Sequence, residues 1–492
     1  MNFYNISYNH SINIILKIKW DYWDKYFLFI NEGQGNKFIM ETVAVKEIFK
    51  NYKLFEEVKL MGWIRSNRDS GSIGFISFTD GSCIHSIQLV YKNNETQNFE
   101  EAKTARTGSA ILVEGQVIES KQPNQNFEVL VKNFILLKQA DENYPLQKKE
   151  HGNEFLRSIA HLRQRTNKFG TIMRLRSELA FAIHNFFYQN NFVWVSAPII
   201  TSNDAEGAGE NFSVISRNVK NFFNKSAFLS VSGQMHAEAY AQAFKRVYTF
   251  GPTFRAEKSN TNRHMAEFWM IEPEIAFCNL EQLMYFSEEF IKYLIRFLLK
   301  NCKDEMSFMN KLSNNALSEK LLNAIKEPFE KITYKKAVSI LKNDVATNKV
   351  QFENNSIFFG MDLNSEHEKY LCEKVFNKPL FIYDYPADIK AFYMKLNNDG
   401  TTVAAFDLLM PGIGEIIGGS ERESDYQKLL KRCNKLNMDP SSLSWYLDLR
   451  KFGYYKSAGF GLGFERFLMY ITDVENVKDT IPFPCSYGSI EF

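Results

Sequence analysis

Residues 254–274, FRAEKSNTNRHMAEFWMIEPE, bring several side chains that suit nucleotide chemistry into one short segment. An arginine guanidinium presents a rigid fork of donors to a phosphate or carboxylate. An aromatic ring can stack on a purine base, and a glutamate can accept from an amine or help to hold a metal. Any one of these residues alone is better explained by a solvated hairpin with scattered ion pairs. The whole set predicts a nucleotide site, and its members are Arg255, Glu257, Arg263, His264 and Phe268.

A second segment, FDLLMPGIGEIIGGSERE at residues 406–423, carries two carboxylates on either side of a Pro-Gly turn. If the segment folds as a hairpin, Asp407 and Glu415 converge. Paired carboxylates together with phosphate oxygens are the usual ligands of Mg²⁺. The Gly-Gly pair permits a close approach of the backbone, and Arg422 lies just beyond it. Taken alone, the stretch is explained about as well by an ordinary glycine-rich hairpin.

A third segment, AGFGLGFERFLMYI at residues 458–471, alternates glycines before a predicted helix. Arg466 falls in the first turn of that helix, where a cation opposes the helix macrodipole, so a functional role is favoured. The order of the glycines does not match the dinucleotide-binding pattern GxGxxG, and no parallel βαβ unit surrounds them. A dinucleotide loop is therefore rejected. The buried stripe of the helix is predicted to be Phe464, Phe467, Leu468 and Ile471.

Length and composition limit the framework that positions these segments. A chain of 492 residues and 57.3 kDa predicts two or three domains. Hydrophobic residues at 45% and charged residues at 24% are typical of a soluble globular protein. The net charge of +2 does not by itself indicate a nucleic-acid partner, although it is compatible with local basic patches. Six cysteines without a CxxC spacing predict reduced cytosolic thiols, and no apolar run has the length of a transmembrane helix.

Sequence patterns divide the chain into regions. Residues 40–138 contain about five short alternating strands with turn signals between them, which predicts a small closed β-barrel. A polar linker follows at residues 139–153. Residues 154–492 mix strands and helices without a βαβ rhythm, which predicts an α+β domain built on an antiparallel sheet, with a helical insertion at about 280–357. Residues 1–39 form an atypical extension that is expected to be dispensable or absent from the native protein.

Together with a helix and strand that end at Pro198, the first and third segments resemble, in order, the signature motifs of class II aminoacyl-tRNA synthetases. The barrel segment GWIRSNRDSGSIGFISFTDGSC resembles the OB-type anticodon-binding domain of the aspartyl, asparaginyl and lysyl branch. Within that branch, TSNDAEGAGENF, VSGQMHAEAYA, PGIGEIIGGSERE and AGFGLGFERF are most similar to the asparaginyl enzymes. The resemblance runs from about residue 45 to Phe492, and several long motifs in the right order are highly specific.

The resemblance implies roles for the nucleotide-binding residues. Arg255 and Arg466 would be the catalytic cations, with Arg255 on the α-phosphate of ATP and on the amino-acid carboxylate. Phe268 would stack on adenine, with Arg466 on its other side. Asp407 and Glu415 would hold Mg²⁺. The implied ATP-binding residues are Arg255, Glu257, Arg263, His264, Phe268, Glu415 and Arg466.

The resemblance also implies how the amino acid and the tRNA bind. Glu206 would receive the substrate ammonium group, Gln234 would help to bind the amino acid, and Arg422 would reach its side-chain carbonyl. In the barrel, Phe75 would stack on an anticodon base and Gln88 would read a base edge. A core aromatic and an exposed strand residue are the simpler explanations for these two positions.

The choice between asparagine and aspartate depends on one position of the resemblance. Aspartyl enzymes place a lysine where this chain has Ala237, and a buried substrate carboxylate without a cation is costly. Glu210 is the candidate that accepts the amide hydrogens and repels aspartate. Two positions depart from the common family pattern: Ser457 stands where a histidine is frequent, and Cys485 stands where an arginine is frequent.

The expected activity is that of a cytoplasmic, homodimeric enzyme without a membrane segment, which joins L-asparagine to tRNA(Asn) with ATP and Mg²⁺. The alternatives are an aspartyl-tRNA synthetase, discriminating or not, and a non-catalytic tRNA-binding paralogue. A free-standing enzyme that amidates aspartate is a third alternative, but such relatives lack the barrel. ATP–pyrophosphate exchange with asparagine and with aspartate separates these alternatives.

Overall fold

A computed structural model describes residues 42–120, 125–203, 211–219, 222–259 and 261–492. The predicted N-terminal extension, residues 1–39, lies outside these ranges. All six cysteines lie within the described chain, and each is a free thiol. Among the helices of the described ranges, none is long and apolar enough to cross a membrane.

The first unit is a closed barrel of five strands, as predicted. The strands are β1 (Glu57–Asp69), β2 (Ile73–Thr79), β3 (Ile87–Lys92), β4 (Ala110–Glu119) and β5 (Phe127–Lys138). They close in the order β1-β2-β3-β5-β4. Along β2, buried and partly exposed residues alternate, because successive side chains of a strand point to opposite faces. Two short helices, α1 (Val45–Lys50) and α2 (Phe99–Thr104), contribute apolar side chains to the same core.

An eight-stranded sheet is the framework of the second unit. The remaining strands are β6 (Val193–Trp194), β7 (Ile200–Thr201), β8 (Phe228–Leu229), β9 (Arg246–Phe254), β10 (Glu267–Ala276), β11 (Glu330–Thr333), β12 (Leu380–Pro386), β13 (Thr402–Met410), β14 (Gly414–Glu421) and β15 (Ser457–Gly463). The sheet has the order β11-β12-β13-β14-β15-β10-β9-β6, while β7 and β8 pair separately. Its pairs from β12 to β9 are antiparallel, and the two outermost pairs are parallel. The predicted α+β class on an antiparallel sheet is confirmed.

Helices cover this sheet and complete its core. They are α3 (Asn153–Ser158), α4 (Ala160–Arg163), α5 (Asn167–Gln189), α6 (Gln234–Phe244), α7 (Leu280–Asn301), α8 (Lys303–Leu312), α9 (Leu317–Lys326), α10 (Tyr334–Ala346), α11 (Ser365–Lys369), α12 (Tyr426–Lys435), α13 (Ser444–Asp448) and α14 (Phe464–Thr472). The side-chain hydroxyl of Thr166 caps α5 by accepting from the amide of Phe169. Helices α5 and α14 bury the apolar stripes that their helical spacing predicts.

The predicted helical insertion at about 280–357 contains helices α7 to α10, and it also contains strand β11 of the main sheet. Helix α7 starts with a capping box formed by Asn279 and Gln282. Its buried face belongs to the same hydrophobic cluster as α5, α14 and the central strands. Strand β11 then extends the main sheet by pairing with β12. This segment is therefore part of the core of the second unit.

Candidate active site

One pocket of about 460 Å³ lies on the central sheet between the β9–β10 hairpin, the β13–β14 hairpin and the start of α14. The predicted site residues from all three sequence segments line it, together with Gln234 at the start of α6. Glu206 and Glu210 lie outside the described residues. The predicted residues that line the pocket are Gln234, Arg255, Glu257, Arg263, His264, Phe268, Asp407, Glu415, Arg422 and Arg466.

The β9–β10 hairpin positions the first segment. Its antiparallel register places Phe254 opposite Glu267, so Arg255 directly follows one strand and Phe268 lies near the start of the other. The amide of Arg255 donates to the carbonyl of Ala266 at 3.0 Å, which fixes the backbone where the strands separate. The guanidinium carbon of Arg255 lies 5.3 Å from the centroid of the Phe268 ring. One cation and one aromatic face therefore point into the same space.

Main-chain bonds from the C-terminal segment hold the loop between β9 and β10. The amide of Val477 donates to the carbonyl of Asn262, and the amide of Ala266 donates to the carbonyl of Cys485, both at 2.9 Å. On the loop, His264 Nε2 lies 3.7 Å from Glu257 Oε2. Cys485, which departs from the common family pattern, thus contacts the site through its main-chain carbonyl.

The β13–β14 hairpin brings its two carboxylates together. A Cβ placed on Gly418 would lie 3.3 Å from Glu415 Oε1 and 3.5 Å from Asp407 Oδ1, so glycine leaves the space in which both oxygens converge. Lys390 Nζ lies 3.0 and 2.7 Å from the two oxygens of Asp407. Withdrawal from water and the neighbouring Asp407 raise the pKa of Glu415. Arg466 Nη1 donates to the Glu415 carbonyl at 3.1 Å.

A third carboxylate, that of Glu368 on α11, lies beside this pair. Its Oε2 accepts from the amide of Glu415 at 3.4 Å. Burial raises the pKa of Glu368 to about 8, and the charges of Glu415 and Asp407 add to the effect. Burial and the nearby Arg466 similarly lower the pKa of Arg263. At this end of the pocket, carboxylates lie beside one another and arginines lie beside one another, and ion pairs join Lys390 to Asp407 and Arg466 to Glu415.

Buried carboxylates organise the opposite end of the pocket. Glu272 accepts from the amide of Gly233 at 2.9 Å and from the hydroxyl of Thr249 at 2.7 Å, which fixes the backbone just before α6. Gln234 Nε2 then donates to Glu238 Oε2 at 2.9 Å. This bond orients the amide, so that the carbonyl oxygen of Gln234 and the second hydrogen of its amide nitrogen remain for a ligand.

Two buried ion pairs complete this end. Arg450 binds Glu238, which also accepts from the hydroxyl of Tyr454 at 2.8 Å. Arg422 binds Glu274 through two donors, of which the Nε–Oε2 bond measures 3.2 Å. Burial alone would lower the pKa of Arg422, but the Glu274 carboxylate outweighs it and raises that pKa, so the guanidinium stays charged. The cations that this end buries are therefore neutralised by protein carboxylates.

Several residues of this site were missed by sequence reasoning. The two-residue period of the strand places Glu272 on the same face as Phe268, but Glu272 is not among the predicted site residues. Glu238 and Arg450 are separated by 212 residues, and no local pattern links them. Lys390 follows β12 and Glu368 lies on α11, both outside the segments that carry the recognisable spacing.

The two predicted anticodon-binding residues lie on the outer surface of the barrel. Phe75 alternates with the buried residues of β2 and is partly exposed, so it is not a core aromatic. Gln88 lies on the neighbouring strand β3, opposite Ser77. Its side-chain amide donates to Glu128 Oε2 at 3.1 Å. Both side chains therefore face outward on adjacent strands, remote from the pocket.

Both units match known families. Residues 58–137 match the OB-fold nucleic acid binding domain, and residues 153–486 match the family described as tRNA synthetases class II (D, K and N). With the antiparallel sheet and the pocket upon it, these matches define a class II aminoacyl-tRNA synthetase that carries an OB-fold domain.

Full-length relatives narrow the assignment. The chain is 82% identical over 453 residues to an asparagine–tRNA ligase of Malacoplasma penetrans, covering 92% of this chain and 100% of the relative. It is 53% identical over 457 residues to the asparagine–tRNA ligase of Mycoplasmoides gallisepticum, with the same coverage of each chain. The asparaginyl-tRNA synthetase of Pyrococcus horikoshii, solved in complex with asparaginyl-adenylate, has a TM-score of 0.82 at 32% identity, covering 92% of this chain and 100% of the other. The chain belongs to the asparagine–tRNA ligase family.

Proposed function

We propose that this protein activates L-asparagine with ATP and transfers the asparaginyl group to the 3′ end of tRNA(Asn) in the cytoplasm. In the first step, a carboxylate oxygen of asparagine attacks the α-phosphorus of ATP in line, and pyrophosphate leaves. In the second step, a terminal ribose hydroxyl attacks the carbonyl carbon, and AMP leaves. The observation that carries the proposal is the convergence of three distant sequence segments on one pocket whose two ends differ in charge arrangement.

The triphosphate and adenine are assigned to the end where like charges crowd. Arg255 would bind the α-phosphate and stabilise the negative charge that develops there. Phe268 and Arg466 would hold the adenine between them, while Arg263 and His264 would contact the terminal phosphates. None of these residues forms a covalent bond, so positioning and charge stabilisation supply the acceleration.

The donor set of the β13–β14 hairpin fits magnesium. Asp407 and Glu415 offer converging oxygens, and Mg²⁺ is commonly held by one or two carboxylates together with substrate phosphates. Among the described residues, no group of three or more histidines, cysteines or carboxylates has metal-binding geometry, which agrees with phosphates supplying the other ligands. Bound there, the ion would neutralise phosphate charge.

Asparagine is favoured over aspartate because the amino-acid end supplies no spare cation. Arg422 and Arg450 are paired with Glu274 and Glu238, and Ala237 is buried without charge. A substrate carboxylate would therefore be desolvated without a partner, which is costly. A neutral amide requires only donors and acceptors, such as Arg422 and the carbonyl of Gln234.

ATP–pyrophosphate exchange tests this function. Exchange should depend on asparagine, and aspartate should support a rate at least about 100-fold lower, because an unpaired buried charge costs several kcal/mol. Equal rates with both amino acids would contradict the assignment. Charging of tRNA(Asn) transcript in the same preparation tests the second step.

We also propose a homodimer formed through the outer face of α5, β6 and α6. This face exposes Phe181, Tyr188, Trp194, Tyr240 and Phe244. Large apolar side chains that are exposed to solvent are typical of association surfaces. Sedimentation of Trp194→Asp should give monomers where the wild type gives dimers, and Phe452→Asp, an exposed aromatic on another segment, serves as the control.

A further inference from the structure

A second cavity, of about 760 Å³, lies where the barrel meets the catalytic unit. Its walls come from β1 (Trp63, Arg65), from the linker (Tyr144, Lys148) and from the N-terminal half of α5 (Arg174). It shares no lining residue with the pocket on the central sheet. The cavity is therefore a separate feature that the proposed reaction does not use.

The charges that line this cavity all have one sign. Its cations are Arg65, Lys148, Lys149, Arg165 and Arg174, and no aspartate or glutamate lines it within the described chain. Only Arg174 has a carboxylate partner, Glu305, among the ion pairs of the described residues, with Nε 3.3 Å from Oε1. Burial lowers the pKa of Arg65, and the neighbouring Arg174 contributes in the same direction. Such crowding is relieved by an anion.

The backbone and the aromatic residues favour the same class of ligand. The N-terminus of the 23-residue helix α5 lies at the cavity wall with Thr166 and Asn167, and its macrodipole favours negative charge there. The guanidinium carbon of Arg165 lies 5.9 Å from the ring centroid of Trp63 and 5.8 Å from that of Tyr144. Trp63 is nevertheless 42% exposed, so part of a large flat ring is open to a ligand.

We propose that this junction cavity binds a nucleoside phosphate, with the phosphate on Arg65, Arg174 and the linker lysines and the base against Trp63 and Arg165. Stacking on an aromatic face and cation–π contact with arginine are the general means by which proteins hold an unpaired base. The same chemistry occurs in a free nucleotide and in an unstacked nucleotide of bound RNA. Only the RNA source rests on the proposed function.

Equilibrium dialysis of radiolabelled AMP against the full-length protein tests the proposal. The catalytic pocket is first filled with a non-hydrolysable asparaginyl-adenylate analogue, so that AMP measures the second site. One AMP per chain should bind. Arg165→Gln and the linker double variant Lys148→Gln/Lys149→Gln should each weaken binding at least tenfold, and Trp63→Ala should weaken it without any change in charge.

Lys168→Gln is the matched control, because Lys168 lies in the first turn of α5 but does not line the cavity. A parallel arm measures the affinity of tRNA transcript for the same variants. If AMP binds to the wild type and the cavity variants weaken that binding, the ligand of the cavity is a free nucleotide. No AMP binding, with tRNA affinity at least tenfold lower in the cavity variants but not in Lys168→Gln, identifies an RNA nucleotide.

The proposal is overturned if neither ligand responds to the cavity variants, or if Trp63→Ala changes nothing. Asparagine-dependent pyrophosphate exchange is measured in every variant and should stay at the wild-type rate. If exchange is absent from the wild type as well, the proposed reaction fails while the AMP result still decides the cavity.

Discussion

The two ends of the catalytic pocket differ in how their charged side chains are paired. At the nucleotide end, Glu415 lies near Asp407, but each carboxylate also has a cation beside it: Lys390 Nζ lies 2.7 Å from Asp407, and Arg466 Nη1 lies 3.7 Å from Glu415. At the amino-acid end, Arg422 and Arg450 are each bound to a buried carboxylate. The ion pairs at the nucleotide end are partly open to solvent, whereas those at the amino-acid end are fully buried.

Under the proposed function, this difference would separate the recognition of the two substrates. A nucleotide carrying magnesium would bring both signs of charge to the partly solvated groups of its end. At the amino-acid end, Arg422 and Arg450 already pair with buried carboxylates, so selection would depend on hydrogen bonding. The nucleotide end would then contribute binding energy, and the amino-acid end would contribute specificity through preorganised groups.

Breaking a pair at the amino-acid end should have the largest effect. Glu238→Gln leaves Arg450 buried without its counter-ion, and such a loss costs about 3–5 kcal/mol of unfolding free energy. Asparagine binding should weaken as well, because one amide oxygen cannot replace the two carboxylate oxygens that orient Gln234, Tyr454 and Arg450. Urea unfolding and exchange kinetics measure the two effects. Glu415→Gln, at the crowded end, should leave stability unchanged or raised; equal losses in both variants would contradict the contrast.

Removing a cation from the nucleotide end should harm the reaction and not the fold. Arg255→Ala is expected to lower the exchange rate about 10²–10³-fold, since the charge that develops on the α-phosphate loses its donor. Unfolding and tRNA binding should stay at the wild-type level. Lys258→Ala, an exposed cation of the same loop, is the control. Normal exchange in Arg255→Ala would refute the assignment.

The aromatic ring of Phe268 at the nucleotide end should contribute less to the reaction than the Arg255 cation does. Phe268→Leu keeps an apolar side chain but removes the ring, so the KM for ATP should rise by the equivalent of about 1–3 kcal/mol, as for other stacked bases. The KM for asparagine should not change. A variant that alters both constants equally would indicate a general distortion of β10 instead of a stacking contact.

The smallest expected effect is on the pH dependence of the unfolding free energy, through Glu368 at the nucleotide end. The carboxyl of Glu368 has a pKa of about 8 against an ordinary value of 4.5, so the folded state holds its proton more tightly than the unfolded state. Its stabilising contribution is complete below about pH 4.5 and is lost as the pH rises to about 8. Glu368→Gln should remove about 1–2 kcal/mol of this pH dependence. Denaturant titrations at pH 6 and 8.5, without ATP or Mg²⁺, measure the difference, and identical pH slopes would contradict it.

How far the sequence predicts this site depends on distance along the chain. The nucleotide end is built from two hairpins, so Arg255 and Phe268, or Asp407 and Glu415, are local pairs that turn signals and motif order reveal. The Glu238–Arg450 pair joins segments 212 residues apart, and no local periodicity encodes it. The same limit applies to residues 280–357, because the amphipathic pattern of α7 predicts a helix but not the core against which the helix packs.

The hydrogen bond from Ala266 to the carbonyl of Cys485 has a consequence for tolerated variation. A carbonyl is common to every amino acid, so this hydrogen bond does not depend on which side chain stands at position 485. Proline at position 266 would abolish this hydrogen bond, because proline alone lacks the main-chain N–H that donates it.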